Sequence, residues 1–227
     1  MNIVVFTGAG ISAESGIKTF RDSGGLWEEH RIEDVASPEG WSRNPELVLD
    51  FYNKRRKQVL AAQPNAAHVA IAKLQNKYNV QVITQNIDDL HERAGSEHVV
   101  HLHGEILKSR STKNPDLVYS VNGDTIKPGD KCELGSQLRP HIVWFGEMVP
   151  MLDTAIKLTH KADLFIVIGS SLQVYPAASL IEYAPEDSDK YLIDPNAIKL
   201  RHINNLHIIR ERATIGVPQL INKLLIQ

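Results

Sequence analysis

The chain alternates short apolar runs with stretches whose apolar positions recur at helical spacing. Ile3-Val4-Val5-Phe6 opens it as a strand buried on both faces. Similar runs predict strands over 2–7, 80–84, 99–102, 142–145, 164–169, 191–193 and 207–209. Between them, Leu47, Phe51, Val59 and Leu60 predict a helix over 45–63, with Asn44 as its cap and Pro45 at its first position. Residues 66–77, 151–159 and 218–225 also read as helices. Strands alternating with helices predict an α/β fold with a mostly parallel sheet.

One stretch breaks this rhythm. Residues 108–139 are polar and turn-rich, with Asn122-Gly123 between short extended runs and Pro128-Gly129 after them. Asn-Gly is a hairpin signal, so this segment is expected to be a small insert of hairpins and loops.

Composition narrows the class. With 227 residues, 42% hydrophobic and 23% charged, the chain can bury a full core and is not a disordered tail. A formal net charge of −2 gives no general pull toward nucleic acid or an anionic membrane, and neither is expected as a partner. The single cysteine, Cys132, excludes an intrachain disulfide and an all-thiolate zinc site. No secretory leader pattern is visible, so the cytoplasm is the expected compartment.

Candidate chemistry begins where the first strand ends. Thr7-Gly8-Ala9-Gly10-Ile11-Ser12-Ala13 fits G-x-G-x-x-A directly after a strand. Glycines there let the backbone approach a pyrophosphate, although a tight strand-to-helix turn would also use them. The acidic strand end expected about 20 residues later in an ordinary dinucleotide fold is missing. In its place is the polar loop Thr19-Phe20-Arg21-Asp22-Ser23-Gly24-Gly25-Leu26-Trp27. A nucleotide site therefore fits, and a hydride-transfer dehydrogenase is disfavoured. Tyr52 and Arg55, three apart, share a helical face and could bind a carboxylate, or belong to a solvated basic face with Lys54, Arg56 and Lys57. His101 and His103 point to one side of their strand, as a base and a packing residue or as a pair of metal ligands.

The motifs Gly8-Ala9-Gly10-Ile11-Ser12, Gly16-Ile17-Lys18-Thr19-Phe20-Arg21, Thr84-Gln85-Asn86-Ile87-Asp88, His103-Gly104, Arg139-Pro140-His141-Ile142-Val143-Trp144-Phe145-Gly146-Glu147 and Gly169-Ser170-Ser171 together resemble the sirtuins. These are NAD-dependent protein lysine deacylases. The resemblance spans residues 2 to 216 and implies a single catalytic domain over 1–227. Its Rossmann-like part would cover 1–107 and 140–227, with the small insert over 108–139. NAD would be the cosubstrate, and acylated lysine on proteins or peptides the partner.

The same resemblance assigns roles. His103 would be the general base, taking a proton from the ribose diol. Gly8, Ala9, Gly10, Ser12, Phe20, Arg21, Trp27, Gln85, Asn86, Asp88, Gly169, Ser170, Ser171 and Ala213 would bind NAD, with Asp88 holding the nicotinamide carboxamide. Val143, Trp144 and Phe145 would line the acyl-lysine tunnel, and the loop at Gly146-Glu147 and the residues near Gln173-Val174 would pair with the peptide backbone by strand addition. Tyr52 and Arg55 would mark the branch that removes succinyl, malonyl or glutaryl groups as well as acetyl. The products would be free lysine, nicotinamide and O-acyl-ADP-ribose. An NAD-binding sensor or an ADP-ribosyl transferase is the alternative, against which stand the retained His103, Asn86 and Asp88.

The sequence departs from the family in two places. The family's small module carries two Cys-x2-Cys pairs for zinc; here Ser111 and Asn114 replace the first, and Gly135 stands opposite Cys132 in the second. No zinc is therefore expected. Leu192 stands where the family often has asparagine near the adenosine, leaving Ile193 and Asp194 to make contacts there.

Overall fold

The structure, a computed structural model, describes residues 1–18, 26–27 and 30–226, with Leu26 and Trp27 as backbone alone. Strands in chain order are β1 Asn2–Thr7, β2 Leu26–Trp27, β3 His30–Arg31, β4 Asn79–Thr84, β5 Val99–His101, β6 Gly104–Ser111, β7 Val118–Ser120, β8 Leu138–Ile142, β9 Leu164–Ile168, β10 Asp189–Ile193 and β11 Leu206–Ile209. The helices are α1 Gly10–Ala13, α2 Ile32–Val35, α3 Pro38–Arg43, α4 Pro45–Ala61, α5 Ala66–Leu74, α6 Leu90–Arg93, α7 Leu152–Thr159 and α8 Ala213–Ile226. A 3-10 helix covers Ala177–Tyr183.

The main sheet is parallel, in the order β11-β10-β9-β1-β4-β5. The apolar residues of β1 explain its central place. Ile3 and Val5 pack on one face with α5 and α8, while Val4 and Phe6 pack on the other with α7 and the 3-10 helix. Alternate side chains of one strand therefore enter two cores, which is why its apolar run is continuous. Strand order reverses beside β1, since β4 and β5 extend one way and β9, β10 and β11 the other. Parallel sheets bind ligands outside the carboxyl ends of strands at such a reversal.

Helix α4 begins as expected: the Asn44 side chain accepts from Leu47 N–H and Pro45 follows. Its inward face joins a third core with Ile106, Ile142 and Trp144, which couples it to the antiparallel sheet β7-β6-β8.

Several expectations need correction. Of the run expected as a strand over 142–145, only Ile142 lies in a strand, as the last residue of β8, which pairs with β6 in the small sheet. Val143 to Phe145 leave the strand because they turn into the cleft described below. Asn122-Gly123 does form a turn, with Gly123 at φ +81°, but β7 pairs back to β6 through the loop after Ser111. The last helix starts at Ala213, upstream of Pro218, rather than at the proline. Among the described residues no helix is long and apolar enough to cross a membrane.

Candidate functional site

The carboxyl ends of β1, β4, β9 and β10 open on one cleft of about 630 Å³. Where β1 ends, the glycines meet the β9 turn. Gly10 N–H donates to the Gly169 carbonyl at 2.8 Å, and a Cβ on Gly10 would lie 2.7 Å from Gly169 Cα. Gly169 has φ +59°. These glycines therefore seal two loops backbone to backbone, leaving no side chain between the cleft and their main-chain groups.

The end of β4 carries the polar loop. Asn86 Nδ2 donates to Gly8 O at 3.2 Å and to Ser12 Oγ at 3.1 Å. Ser12 Oγ donates in turn to Asp88 Oδ2 at 3.0 Å, and Leu90 N–H reaches Asp88 Oδ1. Burial raises the Asp88 pKa, while the Leu90 N–H, the Ser12 hydroxyl and His101 pull against it. Gln85 Oε1 accepts from Ser170 Oγ at 3.2 Å. Its Nε2 is buried without an acceptor among the described residues, a donor suited to a ligand.

His103 leaves β5 toward the same loop. Its Nδ1 lies 3.0 Å from the Gln85 carbonyl oxygen, an atom that can only accept. Nδ1 therefore carries the hydrogen and Nε2 keeps its lone pair. Burial lowers the His103 pKa, opposed only by that carbonyl bond, so the ring is a neutral base at neutral pH. Gly104 is required next to it: at φ +82° it faces His141 O so closely that a Cβ would collide.

The acyl side is built from α4 and the loop after β8. Tyr52 is fully buried and Arg55 nearly so, and both line the cleft. Arg55 Nη2 donates to Lys18 O at 3.0 Å. Trp144 Nε1–H donates to Tyr52 Oη at 3.1 Å. The Trp144 ring lies 3.3 Å under the Arg139 guanidinium. Glu147 accepts from Arg110, from both terminal nitrogens of Arg139 and from Trp144 N–H. Burial alone would raise the Glu147 pKa, but Arg139, the Trp144 N–H and Arg110 hold it below the usual carboxylate range.

The choice left open for the basic helix resolves by residue. Lys54 and Lys57 point out to Asp50 and Asp124. Arg56 is fully buried, donating to Ile106 O, Asn53 Oδ1 and Asp124 O, so it ties α4 to the insert. His101 and His103 do not form a metal pair, since each ring turns to a backbone carbonyl.

The cleft brings together Gly8, Ala9, Gly10, Ser12, Gln85, Asn86, Asp88, His103, Gly169, Ser170, Ser171 and Ala213 with Tyr52, Arg55, Val143, Phe145 and Gly146. Phe20 and Arg21, and the side chain of Trp27, lie outside the described residues. Glu14, Pro195, Asn196 and Tyr175 also line the cleft. Sequence reasoning missed them, and only Glu14 carried a signal, as an acid one turn past the glycines. Its carboxylate caps α8 through Thr214 N–H and Oγ1, fixing Ala213 at the cleft wall.

The insert does not fit zinc. Ser111 Oγ, Cys132 Sγ and Ser136 Oγ bond one another at 2.9 to 3.3 Å where a metal would need thiolates. Among the described residues no three His, Cys, Asp or Glu side chains gather as a metal site.

Comparison with known proteins agrees with this geometry. A model described as the Sir2 family matches residues 8–176. A protein of Bacteroides thetaiotaomicron named NAD-dependent protein deacylase is 52% identical over 224 residues, covering 96% of each chain. One of the same name from Helicobacter pylori (strain J99) is 55% identical, covering 99% of this chain and 95% of that one. A crystal structure of a Sir2 homologue–NAD complex superposes with a TM-score of 0.89 at 41% identity, covering 99% of this chain and 89% of that one. A structure of Sir2 bound to acetylated peptide superposes with a TM-score of 0.81 at 32% identity, covering 100% and 94%.

Proposed function

The chain belongs to the Sir2 family, and on that premise we propose that it is an NAD-dependent protein lysine deacylase that removes acidic acyl groups and acetyl. The observation that carries this reading is the meeting of a tautomer-locked His103 with a Tyr52–Arg55 pair in one cleft. The relatives named as deacylases and the neighbour solved with NAD support it.

The residues present fit NAD. A wall of bare glycine backbone, the unsatisfied Gln85 donor and the buried Asp88 carboxyl offer what a dinucleotide needs. When bound, NAD supplies the electrophilic sugar carbon that accepts the acyl oxygen as nicotinamide leaves. His103 receives a proton at Nε2, because Nδ1 is committed to Gln85 O. Asn86 and Ser12 keep the loop against Gly8, and Asp88 presents a buried acceptor beside them.

Acyl choice follows from α4. Arg55 offers a fixed positive charge and Tyr52 a hydroxyl toward the cleft, a combination suited to a distal carboxylate. Trp144 and Phe145 screen the acyl chain from water. In the insert Ser111, Cys132 and Ser136 bond one another, a donor set with a single thiol that disfavours a structural zinc. The test is product analysis: with NAD and a succinyl-lysine peptide, mass spectrometry should find succinyl-ADP-ribose in step with nicotinamide. Nicotinamide with unmodified ADP-ribose alone would refute the transfer.

A further inference from the structure

His101, two residues before the base, is not used by the reaction as derived above. Its Nδ1 lies 3.0 Å from the Asn86 carbonyl oxygen and its Nε2 lies 2.7 Å from Glu92 Oε1. The ring is 8% exposed, while the Glu92 carboxylate is 41% exposed. A carbonyl oxygen and a carboxylate both accept and neither donates. A neutral imidazole has one N–H and would set a lone pair against one of these oxygens. Two bonds require both nitrogens to carry hydrogen.

The placement is specific. His101 ends β5, at the edge of the sheet, opposite Thr84 of β4. His103 grips the Gln85 carbonyl and His101 grips the next one, Asn86. The loop whose side chains line the cleft is thus held from behind at two successive carbonyls. Charged and titratable neighbours of the ring are Glu92 and His91 from α6, Asp88 from the preceding loop and Glu105 from β6.

We propose that Glu92 and His101 form a positioning couple, in which His101, hydrogen-bonded through both ring nitrogens, pins the Asn86 carbonyl and sets the Gln85–Asp88 loop for the nicotinamide end of NAD. This rests on the reading of that loop as the NAD site. Burial alone would lower the His101 pKa, but the Glu92 bond and charge, the Asn86 carbonyl and Glu105 raise it above its ordinary value. Neighbouring positive charge also opposes the burial of Asp88 and favours its ionised form. His101 touches no reacting atom, so its loss weakens cosubstrate binding more than it slows the chemistry.

The test uses the full chain with Glu92→Gln and His101→Gln. At saturating acyl-lysine peptide, each variant should raise KM for NAD about tenfold, the worth of a charge-assisted bond, with kcat within about threefold and peptide KM unchanged. In the unaltered protein KM for NAD should climb as pH rises through the His101 titration, and Glu92→Gln should move that climb to lower pH. Nitrogen-15 NMR of the ring should show both nitrogens protonated at pH 7, with a titration above 6.5 that falls in Glu92→Gln. A ring neutral at pH 7, an unchanged KM for NAD in either folded variant, or an equal rise in peptide KM overturns the couple. Should a variant fail to fold, the ring titration and pH profile of the unaltered protein decide. The ring titration is independent of turnover, so a protein without NAD-dependent deacylation would sink the functional reading and leave this result standing.

Discussion

The indole N–H of Trp144 donates to the Tyr52 hydroxyl at 3.1 Å, joining the loop after β8 to the middle of α4. An indole nitrogen can only donate, so Tyr52 Oη accepts from Trp144 and turns its own hydrogen elsewhere. Burial raises the Tyr52 pKa, and the phenol stays protonated at any working pH. Tyr52 is therefore a donor held at the cleft wall beside Arg55.

Arg55→Met should cut removal of succinyl groups far more than removal of acetyl groups. A charge-assisted bond to a carboxylate is worth about 1.5–3 kcal/mol, or roughly ten- to a hundredfold in kcat/KM. Paired assays on peptides differing only in the acyl group check this. Equal losses on both peptides would remove the carboxylate from the account.

Glu147→Gln should destabilise the protein by about 2–3 kcal/mol, because it leaves Arg110 and Arg139 facing one another without their shared carboxylate. Urea unfolding monitored by tryptophan fluorescence measures it. Trp144 should also lose its orientation toward Tyr52, so acyl-peptide KM should rise together with the loss of stability.

Much of this site was legible beforehand, for identifiable reasons. Strand ends of a parallel sheet collect ligand groups, and each begins with a residue type that stands out: Gly8, Gln85, Gly169. The core strands were equally plain, since Val4 and Val5 face different cores and the run has no polar break. Long-range contacts of charged side chains were not legible. Arg56 looks like Lys57 in a row of letters, and only the packing of α4 on β6 puts it inside. Strand β6 was hidden because its alternating polar residues belong to a small sheet with one thin core. Pro218 read as a helix start, whereas the chain carries it inside α8, whose first turn is capped by distant Glu14.

Acid should unfold the chain through His68 and His91. Both are buried and in ring contact at 4.9 Å. Burial lowers the His68 pKa to about 4 and puts His91 well below its ordinary value. The unfolded chain binds protons at about 6.5, so it takes up more than the folded chain between there and pH 4. Stability is therefore full above that window and falls on acidification, by up to about 1.4 kcal/mol per pH unit for each ring. His68 Nδ1 also accepts from Asn65 N–H in the cap of α5, a bond that protonation at Nδ1 would end. Unfolding free energies at pH 7, 6 and 5 check the slope, which should be shallower in His68→Gln; a flat profile would contradict the assignment.

Metal analysis of the purified protein should give far less than one zinc per chain. Cys132→Ser should leave the small sheet folded, since a hydroxyl can replace the thiol between Ser111 and Ser136. One zinc per chain, or collapse of the module on treatment with a chelator, would contradict this.

The central claim is that the His103 imidazole drives acyl transfer within a cleft that holds NAD and acyl-lysine together. Nicotinamide and succinyl-ADP-ribose, followed together with and without a succinyl-lysine peptide, test it most directly. Nicotinamide release should require the peptide, and formation of succinyl-ADP-ribose should fall at least about a hundredfold in His103→Ala, the usual contribution of a general base. Nicotinamide release at the same rate without peptide, or undiminished succinyl-ADP-ribose in His103→Ala, would contradict it.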